Sequence, residues 1–216
     1  MRYFIFSIFF LLSAAIFGQT TVKLDITVID MNSKKKEAGV TATVYDGSKQ
    51  VASSVTTSNG KVNLTVPAGP NYKVEFKKAG KVTRFFNADT KGIDMELIQG
   101  SEMPFVYCEV SLFDEVQGVD FSYVKNTPFT VFKFDGQSAN LSYDQKMAGQ
   151  MSQKIEQLLA QASQANQNNE VQYQAKMKKG EELAAQNKYE EALTNFEQAL
   201  MFKQADKTAL KRISDM

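Results

Sequence analysis

The spacing of apolar positions changes along the chain, from every second residue at the start to every third or fourth near the end. Val22, Leu24, Ile26 and Val28 alternate with Thr21, Lys23, Asp25 and Thr27, the mark of a strand with one buried face. Runs of the same kind follow at Val40–Tyr45, Val51–Thr57, Val62–Val66, Tyr72–Phe76, Val82–Asn87 and Ile93–Leu97. Turn-forming residues separate them: Asp46-Gly47, Pro67-Ala68-Gly69-Pro70, Ala79-Gly80 and Lys91-Gly92. Ser58-Asn59-Gly60 is the strongest such signal, because Asn-Gly tolerates the positive φ of a tight hairpin. Short strands repeating at about ten-residue intervals predict an antiparallel β-sandwich over residues 19–100.

Residues 101–143 differ in composition, with nine aromatics among 43 residues. Val106, Cys108, Val110 and Leu112 alternate with Phe105, Tyr107 and, after Leu112, Phe113, which predicts a strand apolar on both faces. Phe132 and Phe134 read as a partner strand packed on the first domain. The aromatics admit a stacking platform for a sugar or peptide, but ordinary core is the preferred reading because Trp is absent. Asp114, Glu115 and Asp120 are residue types that a glycosidase uses in pairs; an acidic surface loop is the commoner source of such a run.

After Tyr143 the period becomes helical. Met147, Met151, Ile155, Leu158, Leu159 and Ala162 form one stripe, and Asp144 is placed to cap the helix N-terminus. A helix over 145–165 would be about 30 Å long. Asn166-Gln167-Asn168-Asn169 has weak helix propensity and predicts a joint. The predicted fold class is thus a β-sandwich followed by an α-helical region over 144–216.

Two stretches resemble known families. Glu37-Ala38-Gly39-Val40-Thr41-Ala42-Thr43-Val44, Thr56–Val62, Val66–Gly69 and Tyr72-Lys73-Val74 resemble carboxypeptidase regulatory-like domains over about residues 22–98. That resemblance implies a transthyretin-like β-sandwich of the kind found in exported proteins, an accessory module with no peptidase site. The sequence departs from that pattern at Lys36-Glu37 and Gly80-Lys81. Residues 173–206 resemble one tetratricopeptide repeat: Gly180, Leu183, Tyr189, Ala192, Phe196, Ala199 and Leu200 occupy packing positions, with Ala205–Met216 as a capping helix. Departures are Lys176, Lys179 and Gln204. The resemblance implies protein binding, with Tyr173, Met177, Tyr189 and Phe196, together with Phe132 and Phe134, as candidate partner-binding residues. One repeat does not bury its own apolar face, so these helices pack as a small bundle or await a partner.

Composition narrows the chemistry. Among 216 residues there is no His, no Trp and one Cys, Cys108. These counts exclude His-dependent triads, His-bearing zinc sites and an intramolecular disulfide, and no cofactor or metal is implied. A formal charge of +1 provides no long-range field for nucleic acid. Arg2 followed by an uncharged apolar run to Phe17 predicts a signal peptide over residues 1–18, too short to span a bilayer. Its removal leaves a neutral chain that is unevenly divided. Residues 19–100 carry twelve bases and eight acids, and 101–143 two bases and six acids, so the two could dock. Lys23, Glu75 and Asn87 are the types needed for a Lys–Asn crosslink, but alternation points Lys23 to solvent. The leading expectation is an exported, non-catalytic envelope protein (periplasmic, outer-membrane associated or extracellular) that binds another envelope protein. The alternative is a carbohydrate-binding accessory protein, with a carboxylate-only hydrolase third.

Overall fold

The alternating start of the chain becomes β1 (Thr21–Asp30) in the computed structural model, which describes residues 20–95, 103–136 and 138–216. The expected signal peptide lies outside the described residues. β2 (Thr41–Asp46), β3 (Lys49–Val55), β4 (Lys61–Pro67), β5 (Asn71–Lys77) and β6 (Arg84–Asp89) follow where the alternation places them. The expected strand at Ile93–Leu97 does not form over Ile93–Met95, where the chain turns through Gly92 at positive φ; Leu97 lies outside the described residues.

β7 (Phe105–Leu112), β8 (Val131–Lys133) and β9 (Ser142–Tyr143) complete two sheets. One has the order β4-β1-β7 and the other β3-β2-β5-β6-β8-β9. Their facing sides enclose one core, built from Val22, Leu24, Ile26 and Val28 of β1 against Val44, Val74, Phe76 and Phe86. Within residues 19–100 the described strand pairings are all antiparallel, as expected; the strands that follow make the whole sandwich mixed, β7 running parallel to β1 and β8 parallel to β6. These pairings join residues far apart in sequence, which local alternation does not encode. β7 also buries one face only. Val106, Cys108, Val110 and Leu112 point inward while Tyr107 is 64% exposed.

The Asn59-Gly60 turn carries the chain from β3 in one sheet to β4 in the other, so it is not a hairpin within a sheet. Its chemistry is as anticipated. Gly60 has φ +72° and donates to the Thr57 carbonyl, and the Asn59 side chain accepts from the Lys61 N–H. The Val28 N–H in turn donates to the Gly60 carbonyl at 2.8 Å.

The helical part opens with α1 (Ser122–Asn126), a single turn that brings Phe121 and Val124 into a second core. The dominant element is α2 (Gln145–Ala185), 41 residues without interruption, about 60 Å long. Asp144 caps it by accepting from the Met147 N–H at 2.9 Å. The same residue is pinned to β8, its N–H donating to the Val131 carbonyl and its carbonyl accepting from the Thr130 hydroxyl. No joint forms at Asn166–Asn169. Ala162 and Tyr173, buried on either side of that tract, are eleven residues apart. That is three turns to within about 20°, so one face serves both ends of the helix.

The first half of α2 packs Met151, Ile155, Leu158 and Ala162 against Val82, Phe113, Phe121 and Val124. Its last turns pack Tyr173, Met177 and Leu183 against α3 (Tyr189–Phe202) and α4 (Lys207–Ser214). Asn187, in the α2–α3 turn, adopts φ +60°. At the crossing, Phe196 lies over Gly180, where a Cβ would sit 2.5 Å from the ring.

Candidate functional site

The six sequence candidates scatter. Phe132 is buried in the sandwich core, where its ring meets Phe86 at 5.0 Å, and Phe134 packs part-buried on the same core. Tyr173, Met177 and Phe196 are interior to the helical bundle. Tyr173, Met177 and Phe196 are packing residues, which corrects their expected place on a binding surface, whereas Phe132, though buried, also lines a cleft. The physical reason is that α2, α3 and α4 close on one another and use up the apolar faces. Tyr189 is exposed, its hydroxyl donating to Asn187 at 2.9 Å. Tyr173 has a structural polar contact: its hydroxyl donates to Asp206 Oδ1 at 2.7 Å. Burial, and then that bond, push the Tyr173 phenol up to about 12. Asp206 Oδ1 also caps α4 by accepting from the Thr208 and Ala209 N–H groups.

The acids that resembled a glycosidase pair are engaged in ion pairs or turns. Asp114 meets Lys81 at 2.8 Å, Glu115 pairs with Lys125, and Asp120 accepts from the Ser122 N–H. Lys81 also reaches Asp30 at 2.6 Å. That contact, together with the Ser33 N–H, holds the Asp30 carboxyl far below the usual carboxylate range. Lys81 and Lys36, which pairs with Glu109 at 3.4 Å, bridge residues 19–100 to 101–143. Lys23 lies half-exposed beside Asp25. Among the described residues there is no cluster of three metal-binding side chains, and no helix long and apolar enough to cross a membrane.

A cleft of about 350 Å³ opens where the sandwich mouth meets the start of α2. β7 forms one wall with Tyr107, Cys108 and Glu109. Phe129, Phe132 and Tyr143 form the other, and Ala148 and Ser152 of α2 close the end. Arg84, the first residue of β6, lies at the cleft with only 7% of its surface exposed. Its Nη1 donates to the Ser111 carbonyl at 2.6 Å, and its guanidinium stacks over Phe129 at 4.7 Å. Among the described residues Nε is buried with no acceptor, and no carboxylate forms an ion pair with this side chain. Burial lowers the Arg84 guanidinium to about 10, so it stays charged at neutral pH. Burial also pushes the Cys108 thiol up to about 12 and leaves it un-ionised.

Sequence reasoning missed Arg84. The available signal is that it is one of three arginines and is set between Val82 and Phe85-Phe86. A cation inside an apolar run has to be paired, solvated or used.

No family model and no curated protein matches the chain. Among solved structures it is similar to the Bacillus anthracis TIE protein, with 19% identity over 44% of this chain and 18% of that one, at a TM-score of 0.35. It is also similar to the group B streptococcus pilus 2b backbone protein, with 15% identity over 43% of this chain and 40% of that one, at a TM-score of 0.32. The 3-chlorocatechol 1,2-dioxygenase of Rhodococcus opacus 1CP shares 11% identity over 45% of this chain and 61% of that one, at a TM-score of 0.34. The chain spans less than two thirds of each of these proteins.

Proposed function

We propose that this is an exported, non-catalytic scaffold protein of the cell envelope, whose helical end engages another protein. The observation that carries this reading is α2. One helix contributes to the core against the sandwich and to the core of the bundle, so the bundle is held at a set distance from the sandwich. Between the two cores the helix has polar, largely exposed positions on all sides from Ser163 to Gln172, except for Ala165 and Val171, as a solvent-bridging helix does. The bundle carries Val171, Tyr189, Met201 and Leu210 exposed on its outside. The carboxypeptidase regulatory-like resemblance of the sandwich and the tetratricopeptide-like resemblance of residues 173–206 support the same reading. Gly180 beneath Phe196 is the close helix approach that such a repeat requires.

The test is site-specific photocrosslinking from position 189 in intact cells, followed by mass spectrometry. A discrete adduct that disappears when residues 170–216 are deleted, while the sandwich is still exported, supports the proposal. Crosslinks confined to abundant bystanders, unchanged by mutating Met201 and Leu210 to Lys, would falsify it.

A further inference from the structure

The geometry points to a ligand site at Arg84 for a small organic monoanion: a carboxylate attached to an aromatic or branched apolar group. Three independent features converge there. The first is the unpaired cation. Among the described residues Nη1 donates to the Ser111 carbonyl, and Nε is buried without an acceptor. A buried charge without a partner is costly, and a planar fork of N–H groups matches a carboxylate in a bidentate pair.

The second is the shape and lining of the cleft. Its volume of about 350 Å³ falls within the range of small-molecule pockets. Phe129, Phe132, Tyr107 and Tyr143 contribute flat apolar area around the cation. The Thr130 hydroxyl, also in the lining, already donates to the Asp144 carbonyl. An apolar body with one charged end fits these rings and the single guanidinium.

The third is the charge at the rim. Glu109 lines the cleft, paired with the half-exposed Lys36. A second negative charge on the ligand would meet Glu109 without a second buried cation, so a monoanion is preferred to phosphate. Cys108 also lines the cleft but stays protonated and takes no part.

The experiment is calorimetric titration of the full chain with 3-phenylpropionate, its neutral amide and inorganic phosphate. The expected result is saturable binding of the carboxylate with a Kd below about 1 mM. The amide should bind at least about 10-fold more weakly, and phosphate should give no saturable heat. Arg84→Lys keeps the charge but loses the fork, and is expected to weaken binding about 10-fold. Because Arg84 is buried, a second variant guards against misfolding. Ser152→Trp changes an exposed residue of α2 and fills the cleft, so it should abolish binding while leaving the thermal midpoint in place. Equal binding of acid and amide, comparable binding of phosphate, carboxylate binding that survives Ser152→Trp, or no saturable binding at all would each overturn the assignment. None of these results bears on the helical surface discussed above, because the cleft and that surface share no residue.

Discussion

Gly180 sets two opposing effects against each other. In the interior of α2 an alanine would have the better intrinsic propensity, by about 1 kcal/mol. However, its Cβ would stand 2.5 Å from the ring of Phe196, which is fully buried. Overpacking of this sort costs about 1–3 kcal/mol, so the clash wins. Gly180→Ala is expected to lower bundle stability by about 1 kcal/mol in urea unfolding, and a neutral or stabilising result would show that the two helices can separate there. Asp30 offers a second test, governed by pH. Its folded-state carboxyl lies below the ordinary value because Lys81 and then Ser33 bond to it. Its contribution is therefore fully present above about pH 4 and declines as pH falls below that. Asp30→Asn keeps an oxygen for Ser33 but loses the Lys81 pair, a loss of about 2 kcal/mol. The gap in thermal midpoint between the parent and Asp30→Asn should be largest near neutrality and close on acidification. A gap that widens in acid would contradict the assignment.

At the level of elements, the places where the sequence was legible and where it was not have a common cause. Local chemistry was readable. Alternation located β1 to β6, and Asp144 was recognisable as a cap. What depended on distant partners was hidden: the parallel pairings of β7 and β8, the transfer of the chain between sheets at Asn59-Gly60, and the burial of Arg84 without an ion pair among the described residues. The uninterrupted α2 belongs to the same class. Asn and Gln at 166–169 lose a few tenths of a kcal/mol each relative to Ala, and packing at both ends of the helix exceeds that small deficit. This balance predicts the effect of a real break. Asn168→Pro, at an exposed position between the cores, costs about 3 kcal/mol of local helix without removing any buried side chain. Spin labels at Val55 and Leu210, both exposed, should show a broadened distance distribution in the variant, while far-UV dichroism changes only slightly. An unchanged distribution would mean that contacts other than the helix fix the bundle.

For the whole molecule, the question is which parts stand alone. α2 buries Met151, Ile155, Leu158 and Ala162 against Val82, Phe113, Phe121 and Val124. Three large side chains at about 1.5–3 kcal/mol each contribute on the order of 5–9 kcal/mol, comparable with the entire net stability of a domain. The sandwich therefore depends on the first half of α2, although that helix follows it in sequence. The second half carries a separate core, closed by α3 and α4 and by the Tyr173–Asp206 bond. A chain ending at Ala165 is expected to keep a cooperative thermal transition close to that of the sandwich in the full protein. A chain ending at Tyr143 would leave Phe113, Phe121 and Val124 uncovered, and should melt far lower while binding a hydrophobic dye. Differential scanning calorimetry of the two truncations decides the matter. Equal stability would mean that the sandwich is self-sufficient and α2 only rests on it. A large drop for the chain ending at Tyr143 alone makes the first half of α2 a structural part of the sandwich, and so a rigid mount for whatever the bundle holds.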